Sequence, residues 1–337
     1  MKLPKNLTAQ HMRIIQAGAE IRTTPEPDLA DIAYMARQLI QATLPHSDPG
    51  KVEAWSRTNG NLTLTIRPGW DYKRRRSYGY PYGTIPRLLL FWMTTEAVRT
   101  GNRRLYLGNS LAAFMRELGL NPATGGGPRS DAQRLRDQMM RLFRATIGFD
   151  RAEDNKHHWL DMQIAPEGCT CFWWDFHDPG QDDLFASWID LNERFFAAIM
   201  AAPVPVDMRA LRTLKRSALA LDLYAFVCHR AFWATQSGRA QFVTWEQLME
   251  QLGTDYNRID NFRTKAKAAL RKIKAVYPGL ILGDRLGGIE ILPGSSAAVP
   301  PKRSQRKARS AGDKAVIHSE TVVPGHGETV VPRTVKR

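Results

Sequence analysis

Three cysteines in 337 residues, an odd number, do not make a disulfide framework, so a reducing compartment is expected. Long apolar runs are missing too. The strongest, "LLLFWM" at Leu88 to Met93, is far too short to span a bilayer. The opening "MKLPKNLTAQHMRII" has no long apolar core or small-residue cleavage site, so no secretory signal and no membrane partner are expected. Acidic residues are the third shortage: 33 Asp and Glu stand against 48 Lys and Arg, a net charge of +15. Such an excess favours an anionic partner, whether nucleic acid, an acidic membrane surface or an acidic protein, and charge alone does not choose among them.

What is present is a globular pattern with nine Trp and thirteen Phe to bury. Residues 1–80 read as an accessory region. Leu29, Ile32, Met35, Ala36, Leu39 and Ile40 recur at helical spacing, which predicts a helix from an Asp28 cap to Gln41. "VEAWSRTNGNLTLTIRPG" predicts a hairpin turning at Asn59-Gly60, with Leu62, Leu64 and Ile66 on one face.

From Tyr80 an order of elements begins that is then repeated. An apolar helix (Thr84 to Thr100) is followed by the strand "RRLYLG", then by a helix capped by Ser110, carrying Leu111, Phe114, Met115 and Leu118 and closed by Gly119. After a glycine-rich turn comes "RSDAQRLRDQMMRLF", a helix burying Leu135, Met139, Leu142 and Phe143, and then two strands, "ATIGFD" and "WLDMQIAP". The second half offers "SWIDLNERFFAAIM", a long helix from Met208 to Trp233, a strand "AQFV", a helix capped by Thr244 and closed by Gly253, and a basic helix from about Arg258 to Val276. Two short strands, "LILGD" and "GIEIL", finish it. Helix, strand, helix, helix, strand, turn, strand is the order of a winged helix.

The expected fold is therefore α+β: two tandem winged-helix domains over 81–180 and 185–293, an N-terminal helix/hairpin extension over 1–80, and a disordered basic C-terminal tail over 294–337. The tail is rich in Pro, Ser, Ala and basic residues and repeats "ETVVP" at Glu320 and Glu328. It carries nine basic and three acidic residues, so nine of the fifteen surplus charges belong to the rest of the chain.

The glycines of "GGGPRSDAQ" raise a nucleotide-binding reading. A phosphate-cradling loop of that kind ends in Gly-Lys-Ser/Thr after a buried strand. Here Pro128, Arg129 and Ser130 follow the glycines, so the stretch reads as a turn between helices with Ser130 as a cap. Arg129, Ser130, Gln133, Arg134 and Arg141 then form the solvent side. A solvated surface helix would mix its charges, whereas from Arg129 to Arg144 five arginines stand against two aspartates.

The second basic helix is more one-sided. Phe262, Ala266, Leu270 and Ile273 are its buried stripe, and Arg258, Asn261, Arg263, Thr264, Lys265, Lys267, Arg271 and Lys274 its outside, with Asp260 the one acid. Asn and Arg pair with base edges and Lys mostly meets phosphate, so this helix is expected to read double-stranded DNA. "DYKRRRSYGYPYG" interleaves Lys73, Arg74, Arg75 and Arg76 with tyrosines. It reads either as a basic arm on DNA or as a linker wrapped over the first domain.

A catalytic reading finds little. Cys169 and Cys171 share a strand face near His157, His158 and His177, but no Cys-x-x-Cys or His-x₃-His spacing accompanies them, so no metal and no cofactor is expected. A strand-nicking enzyme wants two histidines on one face, and His157 and His158 are adjacent, on opposite faces of a strand. No nucleophile elbow or acidic metal cluster is present, and the chain is not expected to be an enzyme.

"YGTIPRLLLFWMTTEAVRTGNRRLYLGNSLAAFMRELGL" followed by "GGGPRSDAQRLRDQMMRLFRATI" resembles the plasmid-encoded RepA replication initiators, over about Pro81 to Leu292. The resemblance implies a bacterial, cytoplasmic, tandem winged-helix protein that binds repeated origin sequences (iterons), opens adjacent DNA and recruits host replication proteins such as the replicative helicase and initiator. It implies no ATPase or nuclease activity and, in some members, a homodimer that represses its own gene. A two-domain transcriptional repressor and, less favoured, a metal-dependent nicking enzyme are the alternatives.

Overall fold

Thr8 and His11 form a capping box that starts helix α1 (Ala9–Thr23), and Ile14, Gly18 and Ile21 face inward from it. The computed structural model describes residues 8–125, 127–153, 156–166, 168–172, 187–253 and 256–299. Helix α1 was not among the sequence expectations.

The single helix expected over 28–41 is corrected. That stretch divides into a 3₁₀ turn (Leu29–Asp31), strand β1 (Ile32–Ala36) and short helix α2 (Arg37–Gln41). Ala33 and Met35 alternate inward, and the β1 backbone pairs antiparallel with residues 203–207, an outlet that helical spacing cannot reveal. The expected hairpin forms from β2 (Trp55–Asn59) and β3 (Leu62–Arg67), with Leu62, Leu64 and Ile66 buried. Asn59 lies opposite Leu62, so the turn residues are Gly60 and Asn61, one place later than expected, with Gly60 at φ 58°. A smaller hairpin follows, β4 (Trp70–Asp71) and β5 (Arg76–Ser77).

Helix α3 (Thr84–Thr100) is buried along most of its length and ends at Gly101 in the left-handed conformation. Strand β6 (Arg104–Gly108), helix α4 (Leu111–Glu117) and helix α5 (Asp131–Arg144) come next, the two helices capped by Ser110 and Ser130 as expected. Strands β7 (Thr146–Glu153) and β8 (Lys156–Gln163) form a hairpin, followed by β9 (Thr170–Cys171) and β10 (Ser187–Asp190). Then come α6 (Glu193–Ala201), β11 (Pro203–Asp207), α7 (Met208–Leu214) and α8 (Ala218–Ser237). The one long helix expected from Met208 is thus two, because the Ser217 hydroxyl accepts from Ala220 N and starts a new helix. Strand β12 (Gln241–Thr244), α9 (Trp245–Leu252), α10 (Ile259–Val276) and β13 (Gly288–Ile291) complete the fold. "LILGD" is not a strand: Leu282 makes only an isolated bridge with Ile291, beside single bonds from Gly283 N to Glu290 O and from Leu292 N to Ile281 O.

The fold is α+β, and the repeated order is present as α3-β6-α4-α5 and α8-β12-α9-α10. The strand pairing of the two repeats differs. In the second, β12 pairs with β13. In the first, β6 pairs with β10, while the β7–β8 hairpin joins β2 and β3 in a four-stranded sheet ordered β2-β3-β7-β8. Backbone pairing therefore crosses residue 80 (β3 to β7) and the interval 180–185 (β1 to β11 and β6 to β10). The described residues up to 299 pack as one unit. Most of the expected tail, from residue 300, lies outside the described residues.

Two buried polar knots tie the halves together. Arg87 of α3 donates to both carboxylate oxygens of Asp222 on α8 at 2.7 Å, and also to the carbonyls of Leu44, Pro45 and Gly83. His46 Nε2 lies 3.0 Å from the same carboxylate. Burial pushes Asp222 up, but the charge of Arg87 and the hydrogen bonds from His46 and Arg87 outweigh it and hold the carboxyl below the usual range. In the second knot Arg57 donates to Thr43 Oγ1 and to Gln251 O, and Gln251 Nε2 donates to Ile40 O.

Candidate nucleic-acid interface

Helix α10 keeps its outward side open over its first half. Its apolar stripe of Phe262, Ala266, Leu270 and Ile273 is buried, and Gly253 at the end of α9 lets Phe262 approach so closely that an added Cβ would meet the ring at 2.6 Å. Helix α1 packs on the other end, where Gly18 sits under the Ala275 carbonyl. Between these contacts Arg258, Asn261, Arg263, Thr264, Lys265, Lys267 and Arg271 are all exposed. Arg258, the N-cap, is 75% exposed and makes no capping bond with its side chain, so nothing from that residue covers the positive end of the helix.

The details separate residues the sequence treats alike. Asp260 is shared by Arg263 at 2.8 Å and Arg258 at 3.9 Å. Thr264 donates its hydroxyl to Asp260 O, a local bond that occupies its proton. Lys267 stands 5.7 Å from the Trp245 ring centre, and Arg271 Nε reaches Lys267 O at 3.4 Å. Lys274, expected at phosphate or solvent, is exposed and donates to the Leu280 carbonyl, latching the helix end to the chain leading into β13.

On α5 the sorting is sharper. Ser130 is buried at 4% exposure and its hydroxyl accepts from Gln133 N, so it is a cap with no surface to offer a ligand. Gln133 donates to Asp137 at 2.9 Å. Arg129 and Arg134 are exposed, and Arg134 leans 3.3 Å from Asp131. Asp131 also accepts from Asn121 N, while its own N–H donates to Thr124 Oγ1, and these bonds close the glycine-rich turn. Arg141 is turned inward on the fold: it donates to Asp48 at 2.9 Å and to Tyr80 O at 3.2 Å, and lies 5.2 Å from the Tyr82 ring centre. The sequence shows five arginines from Arg129 to Arg144 but not which acid each will meet.

Lys73, Arg74, Arg75 and Arg76 do not wrap over the first domain as an extended linker. They form the tip of the β4–β5 finger, all exposed, with Arg75 in the left-handed region at φ 50°. The finger is anchored beside the C-terminal end of α5. Gly69 packs so tightly that a Cβ would lie 2.3 Å from Arg144 O, and Gly79 would meet the Arg141 guanidinium at 3.0 Å.

Two further residues were missed by sequence reasoning. Arg285 and Leu286 sit in the turn before β13, Arg285 stacked 3.9 Å from the Phe242 ring centre and Leu286 91% exposed. The signal was the turn sequence "RLGG" itself, since a long apolar residue at a turn tip has no core to serve. Cys169 and Cys171 are half-buried and not joined in a disulfide, and among the described residues no three His, Cys, Asp or Glu come together as metal ligands. His177 and the side chains of His157 and His158 lie outside the described residues. No described helix is long and apolar enough to cross a membrane.

Residues 80–247 match the plasmid-encoded RepA protein family, and the chain belongs to it as a RepA-type plasmid replication protein. The match begins at the entry to α3 and stops inside α9, before α10, a shorter span than the 81–292 of the sequence resemblance. No curated protein and no solved structure matches the chain.

Proposed function

We propose that this RepA-type plasmid replication protein initiates replication by binding repeated sequences (iterons) in the double-stranded DNA of its plasmid's origin. Helix α10 is the principal reader in the major groove, with Arg258 and Asn261 at its open N-terminal end reaching base edges and Lys265, Lys267 and Arg271 meeting phosphates. Helix α5 takes a neighbouring groove or backbone with Arg129 and Arg134. The pairing of β12 with β13 behind α9 and α10 supports reading the second repeat as a winged helix, with Arg285 and Leu286 at the tip of its wing. In the first repeat the same order of elements supports a variant whose hairpin has been absorbed into the N-terminal sheet.

The observation that carries this reading is the one-sided charge of α10: seven basic residues from Arg258 to Lys274 face the single acid Asp260, over a helix whose apolar stripe is buried. The protein acts by binding energy, opens adjacent DNA and brings in host replication proteins, without hydrolysing ATP or cutting a strand itself. A homodimer that represses its own gene belongs to the same reading.

Titrating an origin fragment at several salt concentrations tests it. If about six to ten phosphates are neutralised, affinity falls by about 10³–10⁵ between about 50 and 200 mM salt. A nearly flat dependence would remove the paired-helix interface. Nicking of supercoiled origin DNA by the purified protein would overturn the non-enzymatic part.

A further inference from the structure

The β4–β5 finger carries more than charge. Strand alternation turns Asp71 inward, where it is 8% exposed and accepts from Arg74 N at 2.9 Å. Its neighbours, Trp70 on the strand and Tyr72 at the start of the turn, are instead exposed, at 51% and 81%. Across the ladder from Trp70 stands Ser77, too small to cover an indole ring. Four exposed cations, Lys73 to Arg76, follow directly. Arg74 lies 3.8 Å from Asp71, while Lys73, Arg75 and Arg76 have no ion pair among the described residues. Large aromatics are not left in water on a two-strand ribbon for stability, because such a ribbon has no second layer to bury them against.

The finger is also held rather than loose. Tyr78 N donates to Gly69 O at 2.9 Å and closes its base, and Gly69 rests on Arg144 at the end of α5. The left-handed Arg75 keeps a long cation at the tip where glycine would be the unstrained residue. Two outward rings beside four cations form the combination that binds single-stranded nucleic acid: each ring stacks on a base of any identity, and the cations follow the backbone. A closed duplex offers such rings nothing, since its bases are already stacked.

We propose that this finger binds unpaired DNA, with Trp70 and Tyr72 stacking on bases and Lys73, Arg75 and Arg76 on the flanking phosphates. It deepens the reading above only in taking DNA as the polymer, and it adds a ligand that neither α5 nor α10 is shaped to hold.

The test uses the full chain with two probes, a fluorescent oligo(dT) of about 20 nucleotides and a duplex origin fragment. The wild-type protein is expected to bind both. Trp70→Ala and Tyr72→Ala should each weaken oligo(dT) binding by about 5- to 150-fold, and Trp70→Phe should restore most of it. Duplex affinity should stay within about twofold and thermal melting should be unchanged. Alanine variants that bind oligo(dT) like the wild type, or that lose both probes equally, overturn the proposal, as does a wild-type protein that ignores oligo(dT). Variants that match the wild type on oligo(dT) but fail to maintain the plasmid would point to a protein ligand instead, and the proposal falls. Failure on the duplex alone, with oligo(dT) binding still dependent on the rings, would overturn only the duplex reading.

Discussion

Arg87 of α3 and Asp222 of α8 are joined by two hydrogen bonds of 2.7 Å, and the two side chains are 2% and 8% exposed. The first helix of one repeat is thus pinned to the first helix of the other by a buried, two-pronged charge pair. Pairs of this kind add little over a well-packed apolar substitute, but breaking one strands a charge without solvent.

Asp222→Asn is therefore expected to cost about 3–5 kcal/mol. Asn keeps the shape but leaves Arg87 uncompensated and takes the acceptor from His46. Chemical denaturation of the variant beside the wild type measures this, and an unchanged midpoint would show that the knot is not a stability element.

Stability should also decline on mild acidification. Burial pushes His229 down to about 4, helped by the charges of Arg230 and Arg37. His46 is likewise held below 6.5, since its burial outweighs the pull of Asp222. In both cases the folded state resists a proton that the unfolded chain accepts, so their contribution is complete above about pH 6.5 and shrinks as the pH falls below it. Urea midpoints between about pH 7.5 and 5 should drop, and His229→Gln should flatten the profile without abolishing it. A profile as steep in the variant would assign the decline to other groups.

Two arginines of α5, Arg141 and Arg134, should behave oppositely. Arg141→Ala is expected to cost about 1–3 kcal/mol of stability, through the lost bonds to Asp48 and Tyr80, and to leave the salt dependence of DNA binding alone. Arg134→Ala should leave melting unchanged and make the salt slope shallower by about 1. Equal effects on both quantities would erase the distinction.

On α10, Asn261→Ala or Arg258→Ala is expected to cost about 1–3 kcal/mol on the cognate site and little on random DNA. Lys274→Ala should lower the melting temperature and leave cognate-to-random discrimination intact, because its partner is the Leu280 carbonyl. If Asn261→Ala and Arg258→Ala weaken both DNAs equally, the helix grips without reading.

Helices whose fate is decided locally were legible in the sequence. Thr84–Thr100 is a strongly apolar helix stopped by Gly101, α5 and α9 carry cap and stripe within a few residues of one another, and α10 carries its stripe in its own period. What was not legible depends on distant partners. The apolar positions from Leu29 to Ile40 suit a helix, but the chain at 203–207 offers strand pairing instead. Whether an arginine is a ligand contact or a strut turns on residues far along the chain: Asp48 lies 93 positions from Arg141. Trp70 and Tyr72 stand beside the basic run in the sequence, but that Trp70 is left open depends on its small cross-strand partner, Ser77.

The sheet ordered β2-β3-β7-β8 pairs an N-terminal strand with one from the span that carries the family signature. A fragment cut to residues 80–247 would strip β7 of its neighbour along Leu62 to Arg67 and bare a row of backbone donors and acceptors. An unprotected edge of that kind recruits strands from other molecules. The family region of this chain is for that reason not a portable module: the segment ahead of it completes its sheet.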